Sequence, residues 1–193
     1  FNIKPTPFKE HRIPGTINCV DYDFGNKGIS YSDTEYQKSK GHNSAEQWNK
    51  GWEYRNDGVD IELSDDTYNS KYNVGWIDDG EWLLFTVTIK QSGQYNIEFR
   101  VASALNSGRL QLLLNNQTIT NIISVPNTAG WKNWRTITSS NISIPAGTYS
   151  LKLLFINGGF NISYMRFTSE SIPVNEDHLF NPAPGLKKYQ IKK

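Results

Sequence analysis

Between residues 58 and 168 the chain alternates runs that carry apolar residues at every second position with clusters of Gly, Asn, Ser and Pro. This pattern constrains the fold most. A period of two puts apolar side chains on one face of a strand, and turn signals recurring about every 8–12 residues leave no length for crossover helices. The runs are GVDIEL (58–63), EWLLFTVTI (81–89), QYNIEFRVA (94–102), RLQLLL (109–114), TITNIISV (118–125), KNWRTIT (132–138), NISI (141–144), YSLKLLFI (149–156) and FNISYMRFT (160–168). In QYNIEFRVA, Tyr95, Ile97, Phe99 and Val101 share one side. KQSG, NNQ, PAGT and NGG punctuate the runs, and NNQ has the chemistry of a tight hairpin turn. A first strand is expected at 16–22, where Ile17, Cys19 and Asp21 alternate with Asn18, Val20 and Tyr22. No stretch sustains a helical period beyond a turn or two. The expected class is all-β, a sandwich or barrel.

A chain of 193 residues fits one domain with tails. Residues 1–12 read as a leader, 13–168 as the domain and 169–193, with three prolines, as a linker or tail. Residues 23–58 show no period and read as a long loop region, the kind of segment that carries function in compact domains. The formal net charge of +1 argues against nucleic acid or an anionic membrane as partner. No run approaches the roughly 20 apolar residues that span a bilayer. Cys19 is the single cysteine, so no internal disulfide forms, and its setting suits a small buried hydrophobe.

Catalytic chemistry has little to stand on. His11, His42 and His178 show no ligand spacing, and no phosphate loop, nucleophile elbow or dinucleotide fingerprint occurs. Asp65–Asp66 and Asp78–Asp79 with Glu81 are candidate carboxylate pairs for glycoside hydrolysis. Asp is equally at home in turns, where it bonds its own backbone. Aromatic residues make up 13% of the chain, with six Trp and ten Tyr. Such a supply of flat rings suits a binding surface.

The order of IPGTINCVDYDFGNKGISYSDT, YRNDGVDIE, YNVGWIDDGEWLLFTVTI and AGWKNWRTI…IPAGTYSLKLLFINGGFNISYMRF, from Ile13 to Thr168, resembles a family 6 carbohydrate-binding module, most of all the modules attached to marine polysaccharidases. The resemblance implies a β-sandwich of the jelly-roll kind with long loops at one end. It implies that Trp76, after VG, and Trp131, in AGW, sandwich one sugar, and that Asn161, in GFN, lies at the base of the cleft. An indole face covers the C–H surface of a pyranose, while an amide both donates to and accepts from its hydroxyls. Within the loops Tyr31, Tyr54, Asn73, Glu53 and Asp57 are candidate cleft residues, and Trp48 and Trp52 extend the wall or pin the loop. Trp82 belongs to a strand face, a position that some members use for a second site.

The likeness further implies a polysaccharide ligand: a β-1,3-glucan such as laminarin, an agar-type galactan or xylan. It implies a covalently linked glycoside hydrolase and a secreted or cell-surface, bacterial setting. Many members also hold a structural calcium. The matching positions here are Asn18, Val20 and Ser163, and Val20 offers no side-chain oxygen to an ion that wants six to eight. The expected calcium site is thus weak or absent. Two rival readings remain: a small β-sandwich hydrolase or lyase using loop carboxylates, and a structural or adhesive domain whose aromatics are core.

Overall fold

The computed structural model describes residues 4–34, 54–55, 57–68 and 70–170. His42, Trp48, Trp52, Glu53, His178 and the segment 171–193 lie outside the described residues. The chain forms strands β1 (His11–Ile13), β2 (Gly15–Asn18), β3 (Tyr31–Ser32), β4 (Ile61–Leu63), β5 (Tyr72–Val74), β6 (Trp82–Ile89), β7 (Gly93–Ser103), β8 (Arg109–Leu114), β9 (Gln117–Thr118), β10 (Ile123–Ser124), β11 (Gly130–Ile144), β12 (Gly147–Asn157) and β13 (Asn161–Ser169). They make two sheets. One runs β1-β6-β12-β8-β10, with β3 also on β6 and β9 on β8. The other runs β11-β7-β13-β5-β4, with β2 also on β13. The class is the expected all-β sandwich.

The inward positions follow the period-two patterns. Leu83, Phe85, Val87 and Ile89 on β6, Leu110 and Leu112 on β8, and Leu151, Leu153 and Phe155 on β12 face Tyr95, Ile97, Phe99 and Val101 on β7. Each is nearly fully buried, and every such side chain removed from water favours folding by about 1.5–3 kcal/mol. Asn115 and Asn116, both at positive φ, turn β8 into β9 as NNQ suggested.

Several elements differ from the expectation. The strand expected at 16–22 stops at Asn18, and Cys19–Asp21 makes a 3-10 turn with all three residues buried. The segment 118–125 yields only two short pieces. There the Thr120 hydroxyl accepts the Leu112 N–H and the Gln111 amide donates to the Thr120 carbonyl, so side chains replace ladder bonds. The runs 132–138 and 141–144 are one strand, because a register shift between Ser139 and Ile142, with Asn141 at φ 59°, absorbs the break.

Of the residues read as leader, Thr6, Phe8 and His11 pack or pair with the sandwich. His11–Ile13 pairs in parallel with Val87–Ile89, Thr6 bridges Phe24, and the Phe8 ring packs edge-on to Phe24 and Tyr54. Prolines at 5 and 7 hid a strand of three residues, too short for any period to show.

Candidate functional site

The turns after β5, before β11 and between β12 and β13 converge at one end of the sandwich. Gly75 follows β5, and its N–H donates to the Asp60 carbonyl at 2.9 Å. Trp76 comes next at φ 47°, a left-handed conformation that is rare and costly for a bulky residue. That twist throws the indole outward, 41% exposed, while Ile77 turns back into the core. The following turn closes on Gly80, with the Asp78 N–H on the Glu81 carboxylate at 3.1 Å.

Trp131 stands at the start of β11. Ala129, at φ 68°, is held by an Asn127 side chain accepting its N–H at 2.6 Å and by the Asn133 amide donating to its carbonyl at 3.0 Å. The Trp131 indole is 46% exposed. Asn161, first residue of β13, lies between the two roots. Its Nδ2 donates to the Trp131 carbonyl at 2.9 Å and to Glu62 Oε1 at 3.1 Å. A Cβ on Gly75 would lie 3.0 Å from Asn161 Oδ1, so the Trp76 turn rests directly on the amide.

Asn73, on β5, donates its Nδ2 to the same Glu62 Oε1 at 3.2 Å. Glu62 is therefore the hub of the base, and sequence reasoning missed it. Its signal was its place as an outward residue in the alternation of GVDIEL and as the last residue of the motif YRNDGVDIE. Among the described residues, neither Glu62 Oε2 nor Asn161 Oδ1 takes a hydrogen bond.

Two proposed cleft residues sit elsewhere. Tyr31 is 2% exposed, stacks edge-on against Tyr22 and donates its hydroxyl to the Asp57 carbonyl. It pairs with Leu83 in the sheet, so its ring is core. Tyr54 stacks on Tyr72 at 4.9 Å, donates its hydroxyl to Asp21 and accepts from Lys9 Nζ at 2.9 Å. Its polar end is consumed within the fold. Asp57 accepts from Tyr22 and from Arg55, whose guanidinium lies 3.6 Å from the Tyr22 ring centroid. Trp82 is half-buried on the outer face of the β6 sheet, with Lys152 Nζ 4.4 Å from its ring centroid. The protein's own cation thus lies over that indole.

The loop acids are tied down one by one. Asp66 accepts two bonds from Arg100, Asp65 accepts the Trp134 indole N–H, and Asp79 accepts the Gly158 N–H at 2.7 Å. That N–H holds the Asp79 carboxyl below its ordinary range. Burial pushes Glu81 above its own, against three bonds from Thr34 and Asp78. These acids serve as turn and strand anchors.

At the calcium position, the Asn18 amide donates to Asp21 at 3.1 Å, Val20 is buried without a side-chain oxygen and Ser163 Oγ is buried with no partner among the described residues. Asp21 already carries the Lys9 ammonium at 3.0 Å. The side-chain oxygens of Asn18 and Ser163 are two, and an ion of this size wants six to eight. A chelator is expected to move the melting temperature by less than about 2 °C in differential scanning fluorimetry, since a metal bound only to the native state would contribute through its binding energy. A drop of ten degrees or more would show that other groups bind the ion.

The sequence model of the carbohydrate binding module (family 6) matches residues 44–169. The C-terminal family 6 module of LamC, a marine laminarinase of Zobellia galactanivorans, is 38% identical; the match covers 63% of this chain and 96% of that one, at a TM-score of 0.53. A β-1,3-glucan-binding family 6 module from Bacillus halodurans is 25% identical, covering 83% of this chain and all of its own, 100%, at a TM-score of 0.59. Among curated proteins, the clotting factor G alpha subunit of Tachypleus tridentatus is 35% identical over 57% of this chain, which spans 16% of that protein's length. The family match covers more than half the chain, and the two-sheet sandwich agrees with it: the chain belongs to family 6 of the carbohydrate-binding modules, a family of non-catalytic binding domains.

Proposed function

We propose that this module captures one sugar of a polysaccharide between the indoles of Trp76 and Trp131, with Asn161, Asn73 and Glu62 reading hydroxyls at the base. The observation that carries the reading is the amide of Asn161, bonded to the Trp131 carbonyl and touching the Gly75 turn, which roots two half-exposed tryptophans on either side of a polar floor. The floor is preorganised. Asn161 and Asn73 donate to one Glu62 oxygen, leaving Glu62 Oε2 and Asn161 Oδ1 as acceptors aligned before the ligand arrives. Tyr31 and Tyr54 are not part of this site.

The ligand proposed first is a β-1,3-glucan such as laminarin, supported by the laminarinase module and the β-1,3-glucan-binding module among the similar structures. An agar-type galactan comes second, because a stretch of a beta-agarase of Microbulbifer thermotolerans is 28% identical. Xylan is third. The module holds an attached glycoside hydrolase on its polymer, secreted or on a bacterial surface, and raises the local substrate concentration. Among the described residues no helix is long and apolar enough to cross a membrane.

Calorimetric titration with laminarin, agarose and xylan oligosaccharides tests the ligand. A Kd of roughly 10⁻³ to 10⁻⁵ M for laminarin oligosaccharides is expected, because a shallow slot desolvates few groups. Tryptophan fluorescence should change on binding, and no reducing ends should be released. Silence with all three polymers would overturn the reading.

A further inference from the structure

The floor between Trp76 and Trp131 has a hydrogen-bond polarity that its residue types alone do not give. Glu62, Asn73 and Asn161 share the outward face of the β4-β5-β13 sheet. Glu62 pairs in register with Asn73, and Ile162, next to Asn161, pairs with Val74, next to Asn73. An amide carries N–H donors on one atom and a carbonyl acceptor on the other. Asn161 directs its Nδ2 to the Trp131 carbonyl at 2.9 Å and to Glu62 Oε1 at 3.1 Å. Asn73 directs its own to the same Glu62 Oε1 at 3.2 Å and to the Val74 carbonyl at 3.4 Å. The donor side of each amide is thus met by protein.

Neither amide gains by turning over. In the opposite orientation Asn161 Oδ1 would face the Trp131 carbonyl and Glu62, and Asn73 Oδ1 would face Glu62 and the Val74 carbonyl, oxygen against oxygen each time. Asn73 is 1% exposed, so its part is to hold Glu62. What the floor offers a ligand is Glu62 Oε2 and Asn161 Oδ1. Both are acceptors, and neither is sealed from solvent. Among the described residues no cation pairs with Glu62. Gly75 keeps the floor open, because a Cβ there would stand 3.0 Å from Asn161 Oδ1 and 3.4 Å from Glu62 Oε1.

We infer that the slot selects a sugar unit whose hydroxyls are free to donate and rejects one whose matching oxygens are etherified, esterified or ionised, with Glu62 as the specificity-determining residue. The inference rests on the sugar-capture reading of the slot. Indoles stack on the C–H face of a pyranose and do not sense the hydrogen-bond polarity of its rim. The floor does. A hydroxyl facing Glu62 Oε2 makes a charge-assisted bond. A methyl ether brings no donor, and a sulfate ester or a carboxylate sets oxygens and negative charge against a carboxylate. Each leaves a desolvated acceptor unpaired, the mismatch that a site built for a hydroxyl rejects most strongly. The substrate class is an unsubstituted neutral glycan, of which a β-1,3-glucan is one.

A fluorine scan tests it, since fluorine nearly matches a hydroxyl in size and cannot donate. The probe is the disaccharide of the polymer bound most tightly, laminaribiose for laminarin, together with the set of its analogues in which one hydroxyl is replaced by fluorine. All are titrated by NMR chemical shift into the parent, into E62Q and into W76A/W131A. The parent is expected to bind at least one analogue about ten-fold more weakly than the disaccharide itself, and not to bind measurably a disaccharide sulfated at that position. In E62Q the new amide oxygen accepts from Asn161 and Asn73, which turns its NH₂ toward the ligand. At least one of the losses should then shrink by about three-fold or more. The scan of the parent decides the polarity even where E62Q folds poorly. Equal affinity of the parent for the disaccharide and all its fluorinated or sulfated forms, or the same losses in a folded E62Q as in the parent, would overturn the selection by Glu62 while leaving the slot standing. A disaccharide held at parental strength by W76A/W131A would instead sink the slot itself.

Discussion

Replacing either Trp76 or Trp131 by alanine is expected to abolish measurable glycan retention in affinity electrophoresis while the melting temperature stays within a few degrees of the parent. The two halves of this expectation have separate causes. Each indole is close to half exposed, so truncation removes little core: the neighbouring Ile77 and the β7 side chains stay buried. At position 76 the backbone stays at φ 47°, so alanine neither relieves nor deepens much of the left-handed cost. The ligand loses far more. A central aromatic in a binding site is worth about 2 kcal/mol or more on truncation, roughly a thirty-fold weakening. From a starting Kd of roughly 10⁻⁴ M this passes beyond the reach of most titrations. Calorimetry and circular dichroism on the same preparations separate binding from folding. If both variants hold laminarin as the parent does, the loop end is not the site. A Trp76→Gly variant adds a further check: glycine tolerates the positive φ, so it should be at least as stable as the alanine variant yet equally unable to bind.

The sandwich was legible because its long strands are half-buried and regular. RLQLLL became β8 with the bounds expected, and the Tyr95–Val101 stripe of β7 points into the core as its spacing says. What escaped reading lacks alternation. Tyr72, Asn73 and Val74 of β5 are all buried, so three residues with no polar–apolar rhythm make the strand on which the Trp76 turn depends. Ser163 and Tyr164 are both buried at the register shift of β13, where the period again slips. The proposed site was legible in part. Trp76 and Trp131 stand beside Gly-containing turns, which mark exposed aromatics, and both are exposed; Asn161 was named through family likeness, and its amide bonds the Trp131 carbonyl. Tyr31 and Tyr54 were misplaced because a tyrosine in a loop gives no sign of whether its hydroxyl finds water or an aspartate. Here both hydroxyls find protein partners. Glu62 was passed over because an acidic residue in a strand reads as solvent-facing, and only the two amides donating to it reveal a floor.

Gly158→Ala is expected to be the most damaging small substitution near the site. A Cβ at Gly158 would stand 1.9 Å from the Ile77 carbonyl oxygen, 2.6 Å from its carbon and 2.7 Å from Asp78 Cα. All three are backbone atoms, so no side-chain rotation makes room and the two turns must separate. Separation strains the Gly158 N–H bond to Asp79 at 2.7 Å and the Gly159 N–H bond to the Ile77 carbonyl at 2.9 Å. Overpacking of this kind costs about 1–3 kcal/mol, and each weakened hydrogen bond adds about 1 kcal/mol. For a domain of this size that amounts to a fall of roughly 6–20 °C in melting temperature. Ile77 immediately follows Trp76, so the displaced turn carries the indole with it, and glycan affinity should fall together with stability even though position 158 touches no sugar. Gly80→Ala is the control. Gly80 sits at φ 83° with nothing within 4 Å of its Cβ position, so alanine there meets only the backbone cost of about 1 kcal/mol. The comparison separates contact from conformation: a large loss at 158 with a small one at 80 means that the two turns are wedged together, whereas equal small losses, with affinity intact in both, would show that the Trp76 turn is not braced by the NGG corner.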